Sequence, residues 1–136
     1  MARIVKISPA QAQERAGLAR EHMQIARERL AMCRSGPERS PEAQAAAANA
    51  VLAGIAASDA LCGQALGERA ADQDHRTATT LLERVQPNGA QLASKLGRLL
   101  SDKTILQYGT YCTRAVAAKA CRDAQVLVAA LDARNL

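Results

Sequence analysis

The sequence predicts an all-α fold, an antiparallel bundle of about five helices in one domain spanning residues 1–136. Three observations predict it. With 136 residues the chain is long enough for a single core. It holds two Tyr and no Phe or Trp, so that core must be aliphatic. The aliphatic residues are mostly Ala and Leu, which favour helix, while β-branched and aromatic strand formers are sparse.

Residues Arg3 to Ile7 form a brief apolar segment, read as extended or loose. Ser8-Pro9 is a helix start, with Ser as N-cap and Pro at the first helical position. This helix is expected to run to about Arg34. Ala12, Ala16, Ala19, Met23, Ala26, Leu30 and Cys33 form one apolar stripe. Leu18, Ile25 and Met32 are expected to widen the buried face. Glu14, Arg15, Glu21, Glu28 and Arg29 fall on the wet side, and His22 reads as a surface residue beside the stripe.

Ser35-Gly36-Pro37 ends helix one, and Ser40-Pro41-Glu42 starts the next by the same device. Helix two should reach about Gly67. It is apolar on most sides, with Val51, Leu52, Ile55, Leu61, Cys62, Leu66 and many Ala, as expected of a central helix. Its apolar run from Ala43 to Ala57 is broken by Gln44, Asn49 and Gly54 and reads as too short to cross a bilayer. Asp59 is out of place there. It needs either a wet groove or a partner, because a lone buried charge is costly. Arg69, roughly 15 Å further along if the helix continued, is not expected to contact it directly within one chain, though it can between subunits.

Gly67 to Gln73 reads as a connection. Asp72 or Asp74 should cap helix three, which carries His75 in its first turn and Ala78, Leu81, Leu82 and Val85 inward. Pro87-Asn88-Gly89 is a turn. Helix four covers about Ala90 to Ser101 with Leu92, Leu96, Leu99 and Leu100 as core. Thr104 to Cys112 reads as irregular. Thr113 caps helix five, running to about Ala133, with Val116, Ala120, Ala124, Leu127 and Leu131 inward.

The formal charge of +5 is uneven. Met1 to Arg34 has seven Lys/Arg against three acids, Ser35 to Ala71 two against four, and Asp72 to Leu136 nine against six. A basic first helix is compatible both with nucleic-acid binding and with an ordinary solvated surface. Cys33, Cys62, Cys112 and Cys121 are widely spaced with no C-x-x-C, and with two His no metal site is expected. They read as small apolar helix residues with reduced thiols. Met1 to Ile7 lacks a signal-peptide pattern, so a cytoplasmic location is expected.

The chemistry is concentrated between Leu61 and Val85, where Arg69 and His75 flank a short polar connection. Arginine holds anionic oxygens in a planar fork, and histidine exchanges a proton near neutral pH, so the two together suit phosphate chemistry. Their bland reading is equally concrete: Arg69 answers the C-terminal dipole of helix two, and His75 packs or caps a helix start. Asp74 and Arg76 are further candidates. Arg76 can add a phosphate contact, and Asp74 can cap helix three or orient His75; ordinary surface and capping roles compete with both.

The combination of the Ala-rich helix AAAANAVLAGIAASDALCGQALG, the histidine opening DHRTATTLL, the loop LQYGTY and the final helix AVAAKACRDAQVLVAAL resembles the HEPN superfamily of small helical bundles. The likeness covers roughly residues 42 to 133. Many HEPN proteins are metal-independent ribonucleases, often toxins or phage-defence effectors, whose signature is an arginine followed four to six residues later by a histidine. The resemblance implies that Arg69 and His75 are catalytic, paired at a homodimer cleft. His75 would move the proton and Arg69 would hold the scissile phosphate, leaving a 2′,3′-cyclic phosphate. Asp74 and Arg76 would assist substrate binding. No metal and no cofactor are implied. RNA or a nucleotide, a second copy of the chain and a cognate antitoxin are the implied partners, and no membrane is. Two positions depart from the pattern: Ala70 follows the arginine where active members often carry Asn, Asp or His, and Thr77 stands where one antitoxin-modified variety has tyrosine. A non-catalytic HEPN module binding a nucleotide, RNA or a protein fits the same residues, and so does a purely structural helical module.

Overall fold

The computed structural model describes residues 3–71, 75–102 and 109–136. Among the described residues five helices dominate: α1 (Pro9–Ala31), α2 (Pro41–Leu66), α3 (His75–Glu83), α4 (Gly89–Ser101) and α5 (Arg114–Asp132). The same described residues hold four short strands: β1 (Ile4–Lys6), β2 (Arg39–Ser40), β3 (Glu68–Ala70) and β4 (Cys112–Thr113).

The helix starts follow the capping residues. Ser8 closes a capping box on α1: Gln11 N donates to Ser8 Oγ at 3.1 Å, and Ser8 N donates to Gln11 Oε1 at 2.9 Å. Ser40 Oγ accepts from Ala43 N at 3.1 Å, and Thr113 Oγ1 accepts from Val116 N at 3.3 Å. α1 stops at Ala31, short of Arg34, because its last turn tightens. Met32 N bonds to Arg29 O and Cys33 N to Leu30 O, one residue nearer than the α-helical partner. α2 ends at Gly67, whose φ of +69° is the left-handed conformation that glycine adopts without a Cβ penalty.

α2 is the central helix. α1 runs antiparallel to it, with His22 beside Asn49 and Ala12 beside Gly63. α1 is also antiparallel to α5, through the Arg20–Asp132 and Arg27–Gln125 contacts. α2 and α5 therefore run the same way, and the α3–α4 hairpin fills the crossover between them. Small residues set the spacing. A methyl on Gly54 would lie 2.5 Å from Leu99 Cδ1, so α4 closes directly on the α2 backbone. The core is aliphatic: Met23, Leu61, Leu82, Leu96, Leu99, Leu127 and Leu131 are its largest fully buried side chains. Asp123 is buried on α5 and answered by Lys95 Nζ at 3.9 Å and Arg98 Nη1 at 3.6 Å, which ties α4 to α5.

Several expectations are corrected. Leu18, Ile25 and Met32 are 41%, 37% and 61% exposed, and Leu52 and Val116 are 37% and 44% exposed. The Ala stripe of α1 packs so closely on Ala-rich α2 that bulky neighbours about 100° round the helix are held outside. His22 is half-buried, its Nδ1 3.1 Å from Asn49 Oδ1. As a helix of 26 residues, α2 is long and apolar enough to cross a bilayer by length and composition. Here 67% of its most apolar window is buried inside the bundle. The capping roles of Asp72 and Asp74, and most of the irregular stretch from Thr104, lie outside the described residues.

The strands form two antiparallel clasps. β2 pairs with β4, setting Arg39 opposite Thr113 and Ser40 opposite Cys112. β1 pairs with β3, setting Ile4 opposite Ala70, Val5 opposite Arg69 and Lys6 opposite Glu68. Ile7 N to Gly67 O and Ala71 N to Arg3 O, both 3.0 Å, extend the second ladder at its two ends. The extended reading of Arg3 to Ile7 holds.

Candidate functional site

The β1–β3 clasp decides where Arg69 goes. After the left-handed turn at Gly67 the chain folds back, and pairing with β1 fixes its register. Arg69 thereby lines the same cavity as Asp59. The cavity, of about 210 Å³, is built from five elements. α2 supplies Ile55, Ser58 and Asp59, which share a face by their i, i+3, i+4 spacing. α4 supplies Leu96 and Leu100, α3 supplies Ala78, and α1 supplies Arg15. A second cavity of about 260 Å³ adjoins it, since Arg15 and Arg69 line both. Lys6, Gln11 and Glu14 complete the polar part of the second. The two arginines are thus a shared wall between an apolar-floored chamber and a polar one.

The electrostatics follow from this arrangement. Burial raises the Asp59 carboxyl from 3.8 to about 6, while Arg69 and, less strongly, Arg15 pull it down. Among the described residues no direct ion pair or hydrogen bond ties that carboxylate to a partner. Arg69 is half-buried, and its Nη1 donates to Ala70 O at 3.1 Å.

The other predicted site residues are placed differently. His75 is the first residue of α3 and is exposed, with its carbonyl accepting from Thr79 Oγ1 at 2.9 Å. It lies outside the walls of both cavities, so one copy of the chain does not bring His75 into the chamber that Arg69 lines. Arg76 follows it and is also exposed. Asp74 lies outside the described residues.

Arg15, which the sequence places on the wet side, lines the cavity, and Arg69 shares it with Asp59 without the direct contact that the sequence also does not expect. Arg15 had a usable signal. Two antiparallel helices joined near Gly36 and Pro37 mirror residue 15 onto the Asp59 region of α2. The four cysteines are free thiols, three of them buried. Burial pushes Cys62 up to about 12 and Cys121 up to about 11, and raises Cys112 as well. These three behave as apolar side chains. Among the described residues no cluster of three or more His, Cys, Asp or Glu is arranged to hold a metal ion. Comparison with models of known protein families and with curated proteins finds no match to this chain.

Proposed function

We propose that this chain is a HEPN-like module that binds the phosphate of a nucleotide or of RNA at the Arg15–Arg69 wall. The observation that carries this reading is the convergence of two guanidiniums from distant elements on one cleft, with Lys6 beside them in the second chamber. Guanidinium forks suit phosphate oxygens, and an apolar floor behind them suits a base. The test is equilibrium binding of nucleoside monophosphates and short single-stranded RNA at several salt concentrations. Saturable binding that weakens with salt and is lost in Arg69→Ala and Arg15→Ala supports it. Affinity unchanged in both variants overturns it.

A second reading is metal-independent RNA cleavage by a homodimer, as a toxin or phage-defence component held in check by a cognate antitoxin. The exposure of His75 favours it, because an imidazole at the solvent-facing start of α3 can be offered to a phosphate held by a second copy. In that mechanism the 2′-hydroxyl is the nucleophile, His75 transfers the proton and Arg69 stabilises the added negative charge. Acid–base help of this kind is worth about 10²–10⁴-fold. Cleavage in EDTA that disappears in His75→Ala and Arg69→Ala, with helicity intact, would support it. No cleavage of a broad RNA panel by the wild type leaves the binding reading alone.

A further inference from the structure

The Asp59 chamber carries information about the base as well as the phosphate. Its floor is apolar, from Ile55, Leu96, Leu100 and Ala78, and can take a flat ring system. Into it faces a carboxylate, an acceptor-only group with two oxygens side by side. Arg69 and Arg15 act on it through their charge, but among the described residues no hydrogen bond or ion pair reaches it. A simple anion does not suit the chamber, because Asp59 repels it. A divalent cation does not suit it either, because Arg15 and Arg69 oppose a positive charge beside a single carboxylate. The complementary ligand has two parallel N–H donors at one end, a flat apolar body, and an anion at the other.

We infer that the chamber recognises a guanine base, with the Asp59 carboxylate accepting from guanine N1–H and the 2-amino N–H, and the phosphate lying toward Arg15, Arg69 and Lys6. This rests on the nucleotide-binding reading above and names the base. Guanine presents two adjacent donors whose spacing matches the two carboxylate oxygens. Adenine sets its N1 acceptor against the carboxylate, and cytosine sets its N3 acceptor there. Uracil offers one donor flanked by two carbonyls. Hypoxanthine keeps N1–H and lacks the 2-amino group. A half-buried carboxylate facing an acceptor loses its solvation and gains no hydrogen bond, so the wrong base is penalised as well as less well bound. The two adjoining chambers, about 210 and 260 Å³, together match the size of small-molecule sites, roughly 300–1,000 Å³.

The experiment is calorimetric titration of the purified full chain with GMP, IMP, AMP and inorganic phosphate. It is run well above the raised Asp59 value of about 6, where the carboxylate is ionised. The expected order is GMP, then IMP, then AMP, with GMP about tenfold or more tighter than AMP and phosphate weakest. Asp59→Asn should bring GMP and AMP close to parity while nucleotide binding persists through the arginines. Equal affinity for GMP and AMP overturns the guanine assignment and leaves phosphate binding standing. Absence of binding by any nucleotide overturns both. If Asp59→Asn does not fold, the wild-type ligand series alone decides between these outcomes.

Discussion

Asp59 and Arg69 line one cavity although nine residues lie between them and a continued helix would have carried them apart. The reversal at Gly67 and the antiparallel pairing of Arg69 with Val5 bring the guanidinium back over the last turns of α2. The folded chain thereby holds a carboxylate, two guanidiniums and an apolar floor in one cleft. Each of the following expectations tests part of that arrangement.

Asp59→Asn should stabilise the protein at neutral pH. The folded-state value of Asp59 is raised from 3.8 to about 6, so the native state holds the proton more tightly than the unfolded chain. Stability from this group is complete below about pH 4 and is lost as pH rises through about 6. Above that, replacing the charge removes a cost of up to about 3 kcal/mol. Urea unfolding at acidic and neutral pH reads the difference. A variant less stable than wild type at neutral pH would contradict the burial argument.

Val5→Pro should weaken ligand binding more than it weakens the fold. The bonds at Arg3–Ala71 and Ile7–Gly67 make Val5–Arg69 the hydrogen-bonded pair between them, so proline removes a donor directly opposite Arg69. Helicity should be retained while nucleotide affinity falls by about tenfold, roughly 1.4 kcal/mol. Unchanged affinity would mean that the clasp does not position Arg69.

Leu18→Gln, Ile25→Gln and Met32→Gln should each change stability by no more than about 0.5 kcal/mol, the ordinary range for surface positions. A buried site would lose about 2–5 kcal/mol on such truncation of apolar contact. Denaturant midpoints with unchanged slope separate the two. Large losses would restore these residues to the core.

Thiol alkylation at neutral pH should be confined to Cys33. It is the one cysteine that is not buried, whereas Cys62, Cys112 and Cys121 are enclosed with their thiols pushed upward. Mass spectrometry after iodoacetamide treatment gives the order. Rapid modification of Cys62 in the native protein would contradict its place in the core.

Much of the fold was legible because its signals are local. Ser8-Pro9, Ser40-Pro41 and Thr113 are caps whose own side chains close the first turn, and Gly67 ends α2 by its left-handed conformation. The Ala12–Ala26 stripe is a property of one helix face. What escaped depended on partners elsewhere in the chain. Val5 and Arg69 form a ladder because distant segments meet, and three residues of strand leave almost no pattern. Leu18, Ile25 and Met32 look buried by hydrophobicity alone, and their exposure follows from how closely α1 approaches α2, which no local pattern encodes. Arg15 looked like one more surface charge until the helix hairpin set it near Asp59. The site is therefore only half written in its own motif. Arg69 stands out in sequence, and its companions Arg15 and Asp59 are supplied by topology.

The most direct test of the central claim is the affinity of GMP for the wild-type chain and for Arg69→Ala, with circular dichroism confirming that both are folded. The phosphate-site proposal predicts saturable binding by the wild type and a loss of at least about tenfold in the variant, the usual scale for removing one charge-assisted contact. Equal affinity in the two proteins, or no binding by the wild type, would contradict the assignment of the Arg15–Arg69 wall as a phosphate site.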